Sequence, residues 1–127
     1  MGSFLIQTGW IGLGGALGSM MRFVMAAATQ RLVGAERLPV GTMLVNILGC
    51  IAIGFLSVRL ESSAVSPAHR LALTVGLLGR FTTFSSFSLN TLQLLFERHF
   101  YLAVVNVVGS VVLCLAGCWL GFKIARA

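Results

Sequence analysis

Apolar residues run through this chain in four long stretches separated by three short polar connectors. The stretches extend from about Phe4 to Gln30, Val40 to Val58, Leu71 to Phe96 and Phe100 to Ile124. Each is long enough for a helix that crosses a bilayer, which takes roughly 20 mostly apolar residues. The connectors carry turn and charge signals. The first holds Arg31, Gly34, Glu36, Arg37 and Pro39, the second runs from Glu61 to Pro67, and the third is Glu97-Arg98-His99. The pattern predicts an all-α integral membrane protein, with residues 1–127 forming a single four-helix transmembrane domain. A signal peptide does not fit the first stretch, which is too long, contains Arg22 and starts without a basic residue.

Composition supports the same class. Of 127 residues, 57% are hydrophobic and 9% charged, against about a quarter charged in a soluble domain. There is no aspartate, and the only acids are Glu36, Glu61 and Glu97. A soluble enzyme and a disordered binding module are both excluded. The net charge of +6 comes from basic residues scattered singly along the chain. They read as anchors at the membrane surface, not as a nucleic-acid face. Four spans put both termini on one side. The terminal side then holds Arg59, Arg70, Lys123 and Arg126, against Arg31, Arg37 and Arg98 on the other. So little bias allows insertion both ways round, and hence an antiparallel, dual-topology homodimer. Cys50, Cys114 and Cys118 are odd in number and lack CxxC spacing, which argues against a disulfide framework or a zinc site and for small packing residues.

Glycines and other small residues punctuate the spans, among them Gly14, Gly18, Gly49, Gly54, Gly117 and Gly121. Helix packing accounts for them, because small residues let membrane helices approach closely. Polar groups inside spans are more informative. Arg22 either snorkels or faces a wet vestibule that attracts anions. Asn46 either bonds to a neighbouring helix or donates N–H to an anion. Asn106 and Ser110 are four apart on the fourth span and share a face, which Cys114 continues.

The third stretch is the most anomalous, reading Gly79-Arg80-Phe81-Thr82-Thr83-Phe84-Ser85-Ser86-Phe87-Ser88 at its centre. Glycine and a threonine pair are poor helix material. Irregular backbone at membrane depth survives only where protein buries it or water reaches it. A break here would free carbonyls that can hold a small cation such as Na⁺. A helix resuming at Thr83 would carry Phe84 and Phe87 on one face, with Ser85 and Ser88 beside them. The phenylalanines are either core or rings whose positive edges meet an anion. No acid or histidine lies within a span, and no catalytic triad, HExxH or phosphate loop is present, so the sequence offers no enzyme apparatus.

Three elements together carry a resemblance: Gly14-Gly15-Ala16-Leu17-Gly18 with Arg22, then Gly41-Thr42-Met43-Leu44-Val45-Asn46, then Gly79 through Ser88. In order, spacing and four-span setting they resemble the Fluc (CrcB) fluoride channels across essentially the whole chain. The resemblance implies passive, fluoride-selective export from the cytoplasm across the bacterial inner (plasma) membrane, hence fluoride resistance. It implies an antiparallel homodimer in the lipid bilayer with two pores and a broken third helix. It assigns the pore to Asn46, Phe84 and Phe87, with a hydroxyl track of Ser85, Ser88 and Ser110, and the anion vestibule to Arg22. It also implies a structural Na⁺ at the dimer interface, held by backbone carbonyls of Gly79 and Thr82. Two positions depart from the pattern: Gly79-Arg80 where the family has Gly-Gly, and Cys114 where threonine is common. The alternative class is a small four-span, dual-topology multidrug exporter, which would need an acid in its first span.

Overall fold

The computed structural model describes residues 2–61 and 63–127, so Ser62 of the second connector lies outside the described residues. The described chain is helical. α1 covers Gly2–Val33 and α2 covers Val40–Glu61, each reaching slightly beyond its hydrophobic stretch. The long final helix, Phe100–Arg126, does the same. Among the described residues, these three helices are the ones long and apolar enough to cross a membrane.

The third stretch is not one helix. α3 (Pro67–Leu71) leads into a π-helical segment, Ala72–Leu78, and then into a single turn, α4 (Gly79–Phe81). Thr82 and Thr83 are extended, at φ −81°, ψ 158° and φ −152°, ψ 115°. Helix resumes as α5 (Phe84–Phe96), and the final helix, Phe100–Arg126, is α6. The stop has local causes. Two adjacent β-branched residues lose rotamer freedom in a helix. Thr83 is instead a good N-cap, its Oγ1 accepting from the Ser86 N–H at 3.1 Å.

Two helix pairs form the framework, and each is held by close backbone approach. α1 lies against the π segment. A Cβ on Gly18 would collide with the Leu77 carbonyl, and one on Gly14 with the Ala72 carbonyl. α2 and α6 run parallel in the same manner. Gly54 abuts the Cys118 carbonyl, Gly117 lies against Ile47 and Ile51, and Gly121 meets the Ile51 carbonyl. The glycines are therefore packing devices.

Polar side chains tie the remaining contacts. Gln30 closes the α1–α2 turn, donating to the carbonyls of Ala35 and Leu38 while its Oε1 accepts from the Gly41 N–H. Asn90 of α5 donates to Thr42 Oγ1 of α2 at 3.1 Å, and Asn106 of α6 donates to Thr91 Oγ1 of α5 at 2.8 Å. α5 is thus laced to both α2 and α6. Much of the apolar surface stays uncovered, including Phe23 at 75% exposure and Phe84 at 78%.

Candidate functional site

The interruption between α4 and α5 frees backbone groups that a continuous helix would pair internally. Asn46, in the first third of α2, meets this need. Its Nδ2 donates to the Thr83 carbonyl at 3.1 Å, and its Oδ1 accepts from the Thr83 N–H at 2.7 Å. The side-chain amide therefore substitutes for a peptide neighbour and fixes where α5 begins. The other N–H of Asn46 Nδ2 remains for a further acceptor.

Around this pairing lies an open groove of about 250 Å³. α2 contributes Asn46 and Cys50, the extended pair contributes Thr82 and Thr83, and α5 contributes Phe84 and Phe87. α6 contributes Ser110, Val111 and Cys114. The two rings pack with centroids 5.4 Å apart and planes inclined at 41°. Ser110 is only 5% exposed, and its hydroxyl has no hydrogen-bond partner. A buried hydroxyl without a partner costs about 1–3 kcal/mol, so a group entering the groove has a ready donor to meet. Asn106, one turn earlier on α6, is already engaged with Thr91 and is a packing residue.

The structure thus brings Asn46, Phe84, Phe87 and Ser110 together. Ser85 and Ser88 lie elsewhere. Ser85 is exposed, with its Oγ 3.1 Å from Thr83 Oγ1. Ser88 is exposed and donates to the Phe84 carbonyl one turn back. Arg22 lines a separate groove of about 360 Å³ with Ala26, Thr42, Thr83 and Ser86, so Thr83 borders both spaces. The sequence alone assigned no site role to Thr42, Cys50, Thr83 or Ser86. A signal existed for three of them. Cys50 is one turn from Asn46 on the same face, and Thr83 with Ser86 three residues on, ahead of a helix, is an N-cap spacing.

Gly79 and Thr82 share a small groove of about 140 Å³ with Gly49, Cys50, Thr74 and Leu78. In an unbroken helix their carbonyls would accept from the N–H groups of Thr83 and Ser86. Both donors are diverted, Thr83 N–H to Asn46 Oδ1 and Ser86 N–H to Thr83 Oγ1. Two carbonyl oxygens deprived of helical partners are a donor set that suits an alkali cation. The neighbouring Arg80 lies over α1, its Cγ 3.3 Å from where a Gly15 Cβ would stand, and does not line this groove.

Known proteins resemble this chain along most of its length. A family model described as "CrcB-like protein, Camphor Resistance (CrcB)" matches residues 9–122. A protein of Solibacter usitatus named "Fluoride-specific ion channel FluC" is 45% identical over 117 residues, covering 91% of this chain and 95% of its own. Proteins of the same name from Citrifermentans bemidjiense and Geobacter sulfurreducens are 40% and 42% identical over 95% and 88% of this chain, and 98% and 90% of their own. With one family description spanning both the Asn46 segment and the Thr82-Thr83 interruption, and relatives alike along nearly their full length, the chain belongs to the CrcB family.

Proposed function

We propose that this chain is a passive, fluoride-selective channel that exports F⁻ from the cytoplasm. The observation that carries the proposal is the groove where the buried, partnerless Ser110 hydroxyl, the spare N–H of Asn46 and the paired rings of Phe84 and Phe87 converge. Fluoride is small and strongly hydrated, so a path for it must replace water with donors. The hydroxyl and amide offer full hydrogen bonds, and ring edges offer positive quadrupole. None of these groups carries a charge, so binding stays weak enough for release. The names of the relatives support the choice of anion.

The working unit in this proposal is an antiparallel homodimer of dual topology in the bacterial inner membrane, with two pores. The segments from Pro67 to Phe96 together make the third crossing, interrupted at Thr82-Thr83. The uncovered faces of α5 and α1 support a second copy, because Phe84 at 78% exposure is in reach of one. Ser85 and Ser88 lie outside this groove, exposed on α5, and would join the hydroxyl track only on the surface that a second copy covers. Arg22 stands at the vestibule, on the far side of Thr83. At the dimer interface, the carbonyls of Gly79 and Thr82 would hold Na⁺, which supplies a fixed positive charge beside the anion path. An inside-negative potential drives F⁻ outward by roughly 2.3 kcal/mol per charge per 100 mV, so no energy-coupling site is needed. The relatives are named as ion channels rather than enzymes, and this reading places no catalysis in the chain.

Expression in a fluoride-sensitive bacterial host tests the reading. The native chain is expected to restore growth in fluoride, and Ser110→Ala to restore it less. Equal growth with the chain and with an empty vector would contradict the proposal.

A further inference from the structure

The floor of the groove has a second chemistry. On α2, Cys50 follows Asn46 by one helical turn, and on α6, Cys114 follows Ser110 by one turn, so each thiol lies on the same face as the polar residue before it. The parallel packing of α2 and α6, with Gly117 against Ile47 and Ile51, brings the two cysteines within about one helical turn of each other along the pair. Both line the groove, and both are free and half-buried. Cys50 and Thr82 also line the adjoining groove that holds Gly79.

We infer that Cys50 and Cys114 form a dithiol site for a soft d¹⁰ cation, such as Cu⁺, Ag⁺ or Hg²⁺, and that its occupancy obstructs the groove. Two thiolates from facing helices suit the two-coordinate preference of these ions, which select soft sulfur over oxygen ligands. Binding breaks two S–H bonds, releases two protons to water and forms two metal–sulfur bonds, with no change of oxidation state. The bound ion would sit among Asn46, Ser110 and Phe87. The predicted loss of flux rests on that groove being the fluoride path, whereas the metal site does not.

Hg²⁺ alone is the probe. Intact-mass analysis of the purified chain is expected to show one mercury gained and two protons lost per subunit. Cys118 should remain reactive to maleimide, and Cys118→Ala should retain the adduct. Cys50→Ala and Cys114→Thr should each bind at least tenfold more weakly. Fluoride efflux from liposomes should fall at least tenfold with Hg²⁺ and return on adding a dithiol. An undiminished adduct in the Cys50→Ala/Cys114→Thr double variant, loss of the adduct in Cys118→Ala, or full efflux with the adduct formed would each overturn the inference. A chain that passes no fluoride before metal is added refutes the channel reading instead, and the mass measurement still decides the site.

Discussion

The side-chain amide of Asn46 pairs with the backbone N–H and carbonyl of Thr83 through two hydrogen bonds of 2.7 and 3.1 Å. The pairing joins α2 to the first residues of α5 and sets the position of both groove rings. Asn46→Ala leaves the Thr83 N–H and carbonyl without these partners, and Thr83 is only 8% exposed. The expected cost is about 1–3 kcal/mol of stability, read as a lower midpoint in thermal unfolding in detergent. Asn46→Asp keeps the acceptor for the Thr83 N–H and loses the donor. It should unfold at a temperature between the other two, and it should suppress fluoride flux by placing negative charge in the path. Wild-type flux in Asn46→Asp would contradict the role assigned to the amide.

Phe84 and Phe87 differ in surroundings, the first widely exposed and the second half-buried. Replacing either with isoleucine keeps apolar bulk and removes the ring edge. Both Phe84→Ile and Phe87→Ile are expected to block flux while eluting from a sizing column as the native protein does. Undiminished flux in both would remove the phenyl path.

Arg98 is the only non-glycine residue with positive φ among those described, at 61°. It closes α5 in a Schellman arrangement, with the Arg98 N–H donating to the Leu95 carbonyl at 3.1 Å and the His99 N–H to the Leu94 carbonyl at 2.8 Å. Glycine takes this conformation without the Cβ clash. Arg98→Gly is expected to stabilise the fold by about 1 kcal/mol, visible as a raised unfolding midpoint.

Gly18 has no room for a side chain, since its Cβ would stand 3.0 Å from the Leu77 carbonyl carbon and 3.1 Å from Leu77 Cα. The obstacle is backbone, so it cannot rotate aside. Gly18→Val should cost about 1–3 kcal/mol through separation of α1 from the π segment. Gly12, with open space around it, should accept alanine without loss, and thermal unfolding of the two variants compares them directly.

Much of this arrangement was legible from spacing alone. The long apolar runs define α1, α2 and α6 to within a few residues, because a bilayer demands length and little else. The Gly79 to Thr83 cluster marked the interruption, since glycine and paired threonines are unfavourable in a helix. Asn46, Phe84, Phe87 and Ser110 stood out as polar or aromatic residues at helical intervals. What spacing could not give was partnership. Whether Asn46 bonds to protein or faces the groove depends on where α5 begins, and the amide does both. The engagement of Ser88 with its own helix, and of Asn106 with Thr91, depends on side-chain rotamers that no periodicity records. The π segment was equally hidden, because Ala72–Leu78 has the composition of an ordinary helix and its widened turns lie against α1, where Gly14, Gly18 and Gly76 allow close approach.

The central claim is that the Asn46, Phe84, Phe87 and Ser110 groove conducts fluoride. The most direct measurement is F⁻ efflux from liposomes containing the purified chain, recorded with a fluoride electrode while valinomycin carries K⁺ as the compensating charge. The account predicts rapid efflux on adding valinomycin, with negligible Cl⁻ release and with loss of flux in Phe87→Ile. No efflux from correctly folded protein, or equal release of F⁻ and Cl⁻, would contradict it.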